Sequence, residues 1–208
     1  MPVWTLDPPS TRHPEGAARA TDARLPVQLR ALASASRLFS AAAEGKPLPD
    51  LVASALAAEP GEMCLVSLAD RTGASLRPVA VAHRRPSVGR KLHSIVSAAT
   101  PTPADAFSHA VLRSGSALRM AISNPSMLRL WLPEVYWPYT DCAAVSGVLA
   151  APLIDREWVF GALLMWRERD QPRFDELDQA YVVSLAQRLA LGLVTHPVVS
   201  STPPAALP

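Results

Sequence analysis

The feature that most constrains the fold is a pair of apolar segments separated by a short polar turn. Val148–Ile154 reads VLAAPLI and Trp158–Trp166 reads WVFGALLMW, with Asp155 and Arg156 between them. Segments that are apolar on both faces suit central strands of a sheet that is covered on each side. The sequence therefore predicts a buried β-hairpin that needs further strands beside it and helices above and below it.

Three shorter strands are predicted before this hairpin, with helices between and around them. The strands are Met63–Ala69, Leu76–His83 and Leu118–Ile122. The helices cover 26–43, 48–56, a segment after Pro86, 103–113 and the segment from Asp175 to Val194. Pro78 cannot donate a ladder hydrogen bond, so we expect its strand at a sheet edge. The predicted fold class is α/β (α+β), with a mostly antiparallel sheet of five to six strands and helices on both faces.

The first and last helices carry additional signals. The first has an apolar stripe that includes Leu25, Leu29 and Leu32, as expected of an amphipathic helix. The last begins after Asp175, an N-cap residue, with Asp178 in the capping-box position. Both helices are therefore predicted to be stable elements of the domain.

The two ends of the chain differ from the part between them. Residues 1–24 and 195–208 have no apolar period, and they cannot bury enough apolar surface to offset chain entropy. The sequence predicts one domain over 25–194, flanked by a disordered N-terminal tail and a disordered, proline-rich C-terminal tail.

Composition excludes several classes of protein. The net charge of +2 gives no strong basic field of the kind typical of nucleic-acid-binding proteins. Cys64 and Cys142 are too few and too distant for a disulfide framework or a zinc site, and they fit a reducing cytoplasm. The N-terminal residues lack the apolar core of a secretory signal, and no run approaches the roughly 20 apolar residues that span a bilayer. We therefore expect a cytoplasmic protein without a membrane or nucleic-acid partner.

No residue pattern indicates a catalytic or metal site. The nine glycines are scattered, so they form no phosphate-binding loop, and the histidines have no helical i, i+4 pair for a metal. Asp105, Ser108 and His109 lie close in sequence, but the nucleophile-elbow pattern is missing and adjacent side chains diverge on a helix. The sequence identifies no cofactor, and His83, His93 and His109 leave haem ligation open.

Three parts of the chain together resemble a known family. Ala106–Met120 reads AFSHAVLRSGSALRM, a helix that ends at a small-residue corner and leads into a strand. Val148–Ile154 and Val159–Trp166 resemble two strands of that family, and Arg173–Asp178, RFDELD, resembles its helix entry. In this order they resemble the GAF domain, the small-molecule-sensing module of many bacterial regulators, over about residues 28–194.

The resemblance implies a non-catalytic sensory or regulatory role. Arg84–Ala104 resembles an insertion in GAF domains of actinobacterial sensor proteins. Some GAF domains reduce methionine sulfoxide with several cysteines, and others attach a bilin through a Cys-His pair. Cys64 and Cys142, the latter followed by Ala143, match neither pattern. Family members carry an output domain, and the residues after the last helix are too few to form one, so a separate output protein is expected.

The aromatic segment Met127–Cys142, MLRLWLPEVYWPYTDC, is the candidate ligand site. In GAF domains the equivalent segment lies over the pocket. Aromatic rings that also carry a polar group suit ligands that are planar or that combine apolar and polar parts. The predicted ligand-binding residues are Phe107, Met120, Trp131, Tyr136, Trp137, Tyr139 and Cys142. The alternative is that these aromatic side chains cap a satellite core under a long loop.

The sequence favours a sensory domain that binds an unknown small molecule or a partner protein and signals through its first and last helices. The alternative is a pure protein–protein interaction module with a GAF fold and a collapsed pocket. A filled core behind Trp131 would favour the interaction module, and an apolar cavity lined by Phe107, Met120 and Trp137 would favour the sensor. Apolar residues on the last helix, including Val182 and Ala186, exceed what one sheet contact needs, so we expect a homodimer with a two-fold axis.

Overall fold

The computed structural model describes residues 14–69, 75–98, 102–103, 106–140 and 144–195. The helices are α1 Pro14–Ala43, α2 Leu48–Ala58, α3 Pro86–Ala98, α4 Ala106–Ser114, α5 Leu128–Trp131, α6 Trp137–Thr140 and α7 Glu176–Thr195. The strands are β1 Met63–Ala69, β2 Ser75–His83, β3 Thr102–Pro103, β4 Leu118–Ala121, β5 Val145–Asp155 and β6 Trp158–Glu168. They form one sheet in the order β3-β2-β1-β6-β5-β4, and every neighbouring pair is antiparallel. The predicted fold class is confirmed.

The predicted hairpin lies inside the sheet. β5 and β6 pair with each other, and β4 and β1 cover their outer edges. The chain reverses at a two-residue turn, where Arg156 adopts a positive φ of 55°. Leu163 and Met165 enter a core on one face of the sheet, and Leu164 and Trp166 enter a core on the other. Both sets of side chains on β6 are therefore buried, which explains why the sequence is apolar without alternation.

Pro78 was expected on an edge strand, and β2 does lie next to the sheet edge. The short strand β3 forms the edge itself, but it pairs only with Ser75 and Leu76 of β2. The β1–β2 register shifts between Val66 and Ser67, and Ser67 is the residue opposite Pro78. The proline is thus accommodated beside an irregularity in the ladder, as expected of a residue without an N–H group.

The two faces of the sheet carry two separate cores. The first core lies under α1, α2 and α7, where leucine, valine and alanine side chains of the helices meet β1, β5 and β6. The second core lies under α3, α4 and the segment 125–140, and it contains most of the buried aromatic side chains, including Phe107 and Trp166. Val182 and Ala186 of α7 are buried in the first core. The prediction that they form a dimer surface is therefore wrong.

Helix α1 differs from its prediction in length and in the face that it buries. It begins at Pro14 rather than near residue 26, so it includes residues 14–24, which were assigned to the N-terminal tail. Its buried face consists of Ala31, Ser34, Ala35 and Leu38. The stripe of Leu25, Leu29 and Leu32 is 60%, 57% and 51% exposed. Small side chains let α1 approach α7 closely, and this approach decides which face is buried.

Helix α7 begins as the sequence predicts. The backbone N–H of Asp178 donates to Asp175 Oδ1 at 2.8 Å, and the backbone N–H of Asp175 donates to Asp178 Oδ2 at 3.1 Å. This reciprocal pair is a capping box, and it satisfies two backbone donors at the helix start. The tails were predicted over 1–24 and 195–208. Of these, residues 1–13 and 196–208 lie outside the described residues, so the domain limits stay a prediction.

Candidate functional site

The aromatic segment lies over the second face of the sheet. The sequence indicates a loop-like segment over 124–141, whereas residues 125–140 contain two one-turn helices, α5 and α6, preceded by 3-10 turns at 125–127 and 134–136. Leu128 and Leu132 of this segment are buried in the second core. These apolar anchors hold the segment against the sheet.

Two of the predicted ligand residues form one aromatic pair. Phe107 on α4 is buried, and Trp131 on α5 meets it edge-to-face with 5.3 Å between ring centroids and 85° between the planes. Edge-to-face rings attract each other because the positive ring edge faces the negative ring face. The space behind Trp131 is therefore occupied by Phe107.

Tyr136 and Tyr139 surround a residue that the sequence did not single out, Trp166 on β6. Tyr136 meets the Trp166 ring edge-to-face at 6.3 Å, and Tyr139 stacks on it at 5.2 Å. The Trp166 side chain is 1% exposed, and its indole Nε1 has no hydrogen-bond partner among the residues that the structure describes. An unpaired buried N–H costs about 1–3 kcal/mol, so this N–H can donate a hydrogen bond to a ligand or a water. Its place at the end of a strand that is apolar on both faces was the signal that could have identified it.

The remaining predicted residues lie apart from this centre. Trp137 is half-buried, its Nε1 donates to the Leu132 carbonyl at 3.3 Å, and the Arg129 guanidinium lies 5.2 Å from its ring centroid. Met120 on β4 is partly buried against the second core. Cys142 lies outside the described residues. The structure thus brings Phe107 with Trp131 and Tyr136 with Tyr139 into one core, with Trp137 and Met120 at its margin.

A buried polar network adjoins the aromatic core at the end of β2. The backbone N–H of Arg85 donates to His83 Nδ1 at 2.9 Å. Because Nδ1 accepts this bond, the neutral imidazole carries its proton on Nε2. Nε2 lies 3.0 Å from the Tyr139 hydroxyl and 3.3 Å from Glu168 Oε1, so it donates to this pair of oxygens. The Tyr139 hydroxyl in turn lies 3.5 Å from Glu168 Oε1.

Charged groups surround this histidine. Arg85 Nη2 contacts both carboxylate oxygens of Glu168, at 2.6 and 2.8 Å. Glu62 accepts the backbone N–H of Glu168 at 2.5 Å and lies 3.9 Å from Arg84 Nη1. Burial lowers the pKa of His83, and the nearby Glu168 carboxylate opposes part of this effect. Burial also raises the pKa of Tyr139, so its hydroxyl stays protonated and can donate.

The same network contains carboxylates that a metal could use. Oxygen atoms of Glu62, Glu168 and Asp170 lie within 4.8 Å of one another. Arg84 and Arg85 already face two of these carboxylates, so the charge that would attract a cation is largely compensated. The cluster is best described as an ion-pair network that fixes the end of β6.

Of the comparisons with known proteins, only the comparison with solved structures finds matches. No protein-family model matches the chain, and no curated protein matches it. The GAF domain of a phosphoenolpyruvate-protein phosphotransferase from Coxiella burnetii superposes with a TM-score of 0.60, at 16% identity, over 81% of this chain and 95% of that one. The GAF domain of the Acinetobacter phosphoenolpyruvate-protein phosphotransferase gives 0.57, at 17% identity, over 83% and 97%. The chain has a GAF fold.

A third GAF structure agrees with this assignment. The GAF domain region of a putative membrane protein from Geobacter sulfurreducens gives a TM-score of 0.52, at 14% identity, over 86% of this chain and 99% of that one. The superpositions establish the GAF fold. At identities this low, the ligand and the partners of this chain must be argued from its own residues.

Two further features of this GAF fold bear on its chemistry. Cys64 is a free cysteine in the first core, and burial raises the pKa of its thiol well above the usual range. A thiol that stays protonated is a poor nucleophile, as its position in an apolar strand predicts. Among the helices that the structure describes, none is long and apolar enough to cross a membrane.

Proposed function

We propose that this chain is a non-catalytic regulatory domain of the GAF type that acts by binding a protein partner, and that the partner is a second copy of the chain. The supporting observation is the leucine stripe of α1, defined as Leu25, Leu29 and Leu32. Each of these side chains is at least half exposed. Exposed apolar side chains that line one helix face are typical of interaction surfaces.

The spacing of the stripe suits helix–helix pairing. The leucines follow one another at intervals of four and three residues, which places them in one seam of the kind found in coiled coils. A seam of this type is self-complementary, because a two-fold axis brings the same surface of each copy together. Helix α1 is 30 residues long, so it offers a seam that extends beyond its contact with α7. A change in how the two copies pair along this seam would be transmitted to a separate output protein through α1 and α7.

The described side chains of the aromatic segment support this function, because they pack into the core. Phe107 occupies the space behind Trp131, and Tyr139 stacks on Trp166, so these side chains contribute to the second core. The free thiol of Cys64 is consistent with a reducing compartment such as the cytoplasm.

The test is sedimentation velocity at micromolar concentration. We expect the native protein to be a dimer, and a Leu29→Glu, Leu32→Glu variant to be a folded monomer, because the introduced charges repel across the seam. Leu130→Glu is the matched control, since Leu130 is 78% exposed and lies on the opposite side of the sheet. A monomeric native protein, or a dimer that survives both glutamates, would remove the leucine stripe as the interface.

One observation favours a second candidate, a small-molecule sensor. Within the described part of the chain, the buried Nε1 of Trp166 has no acceptor, and a ligand that carries a hydrogen-bond acceptor would satisfy it between the sheet and the aromatic segment. Native mass spectrometry of protein purified from its own host should then detect a retained molecule. Trp166→Phe should abolish the added mass, and Trp137→Phe should keep it. An unmodified mass for the native protein would leave the interaction module as the function.

A further inference from the structure

A groove crosses the helical layer on the first face of the sheet, away from the aromatic segment. It has a volume of 220 Å³ and lies between α1, the end of α2 and α7. The polar residues that line it are Arg30, Ser34 and Arg37 of α1, Glu59 after α2, and Tyr181 of α7. The three α1 residues are spaced four and three positions apart, so they share one face of the helix.

Arg30 already binds a carboxylate at this groove. Its Nη2 lies 2.5 Å from Glu59 Oε1, and its guanidinium stacks 4.6 Å from the ring centroid of Tyr181. Tyr181 is buried and thus fixes the plane of the guanidinium. The Glu59 side chain is 70% exposed, and an exposed ion pair contributes little energy, so another anion can displace it.

Arg37 supplies a second positive charge to the same groove. Its Nη2 donates to Ser34 Oγ at 3.1 Å, and the Tyr181 hydroxyl donates to the same oxygen at 3.1 Å. Among the residues that the structure describes, Arg37 has no acidic partner. The guanidinium has five N–H donors in a fixed fork, so most of them remain directed at solvent or at a ligand.

We propose that this groove binds the phosphate group of a small ligand, with Arg30 and Arg37 as its two guanidinium partners. Displacement of Glu59 leaves two positive charges on one helix face, and a phosphate dianion neutralises both, whereas a carboxylate would only replace Glu59. Guanidinium groups bind phosphate oxygens through paired, charge-assisted hydrogen bonds. The volume is below the roughly 300–1,000 Å³ of pockets for drug-sized ligands, so the groove suits a headgroup while the rest of the molecule stays outside.

This site adds a regulatory input to the proposed function and does not depend on it. The bound phosphate contacts α1, which carries the leucine stripe, and the groove wall includes α7 and the end of α2. Occupancy would therefore strengthen the attachment of α1 to the domain, whether or not α1 also pairs with a second copy.

The first experiment is an NMR titration with inorganic phosphate at pH 7.5, with chloride exchanged to keep the ionic strength constant. We expect saturable shifts at residues 30–37, 59 and 181. Arg30→Gln and Arg37→Gln should each weaken binding about tenfold or more, because each removes a charge-assisted contact. Arg113→Gln on α4, an exposed arginine on the other face, should leave binding unchanged. Shifts that rise linearly without saturation, or equal losses in all three variants, would overturn the proposal.

Two further arms test the ligand chemistry. Glu59→Gln should tighten phosphate binding, because it removes the internal competitor for Arg30, while Glu134→Gln on the second face should have no effect. Acetate should bind more weakly than phosphate at the same concentration, since it carries a single charge. Equal binding of acetate, or a Glu59→Gln variant that binds no better than Glu134→Gln, would contradict a phosphate site. Sedimentation of the same samples reports the dimer separately.

Discussion

The ring of Tyr139 stacks on the indole of Trp166, with 5.2 Å between the centroids and 23° between the planes. The hydroxyl of the same tyrosine lies 3.0 Å from His83 Nε2, so one side chain joins the aromatic core to the buried polar network. The segment 125–140 is therefore held on the sheet at two points, one apolar and one polar. These two contacts can be separated by substitution.

Tyr139→Phe should keep the stack and remove the hydroxyl. We expect the free energy of unfolding to fall by about 1–1.5 kcal/mol, because the His83 N–H loses one acceptor and retains Glu168. Tyr139→Ala should cost about 3–5 kcal/mol, since it also removes the ring from the second core. Urea denaturation measures both values. Equal losses in the two variants would mean that the ring contributes nothing and that the stack is not formed in solution.

The pH dependence of stability should report His83. Burial places its pKa in the folded protein below the value of 6.5 for an unperturbed histidine, so the unfolded chain binds the extra proton first. Stability should be level near pH 7.5 and should fall as the pH drops through 6.5, by at most about 1.4 kcal/mol per pH unit for one proton.

His83→Gln should flatten this dependence between about pH 7.5 and 5.5, a range above the titration of ordinary carboxylates. His109→Gln is the control, because His109 is exposed on α4. The measurement is the urea midpoint at a series of pH values. A slope that persists in His83→Gln would assign the titration to another group.

Local patterns in the sequence were sufficient for much of the fold. The β5–β6 hairpin was predictable because both faces of each strand are apolar, and the capping box of α7 was predictable because Asp175 and Asp178 lie within one turn. The buried face of α1 was not, because the leucine stripe is the more apolar face and the alanine face is buried against α7. The choice depends on close approach between helices that are distant in sequence.

The candidate site was predictable only in part, because some of its contacts also join residues that are distant in sequence. The aromatic composition of the segment 127–142 identified Tyr136 and Tyr139, which both pack on Trp166 in the second core. Their partner Trp166 and the network at His83 involve β2 and β6, and such long-range pairs leave no local spacing in the sequence. No pattern in α1 alone marks Arg30 and Arg37 as groove residues, because α2 and α7 supply the other walls.

Asp178→Ala should destabilise the protein more than Asp175→Ala. Each substitution removes one hydrogen bond of the capping box, at about 1 kcal/mol. Asp178 Oδ2 also accepts from Arg167 Nη1 at 3.0 Å, and Arg167 is 7% exposed. Loss of the Asp178 carboxylate therefore leaves the buried Arg167 guanidinium with only carbonyl partners. We expect a total of about 3 kcal/mol for Asp178→Ala, measured by urea denaturation. Equal effects would show that the ion pair adds nothing to the cap.

Gly192 sets how closely α7 approaches α1. A β-carbon at this position would overlap the ring of Phe39 and lie 3.0 Å from Leu48 Cδ2. Gly192→Ala gains about 1 kcal/mol of intrinsic helix propensity, yet we expect a net loss of about 1–2 kcal/mol, because overpacking at a helix crossing costs more than propensity returns. Thermal or urea unfolding measures the difference.

The cause of that loss can be tested with a second substitution. Phe39→Leu alone should destabilise the protein, because Phe39 packs against the first core. In the double variant Gly192→Ala, Phe39→Leu, the smaller side chain makes room for the methyl group. We therefore expect the double variant to be more stable than the sum of the two single losses by about 1 kcal/mol. Strictly additive losses would show that α1 and α7 do not meet at this pair, and the close helix contact that buries the alanine face of α1 would then be wrong.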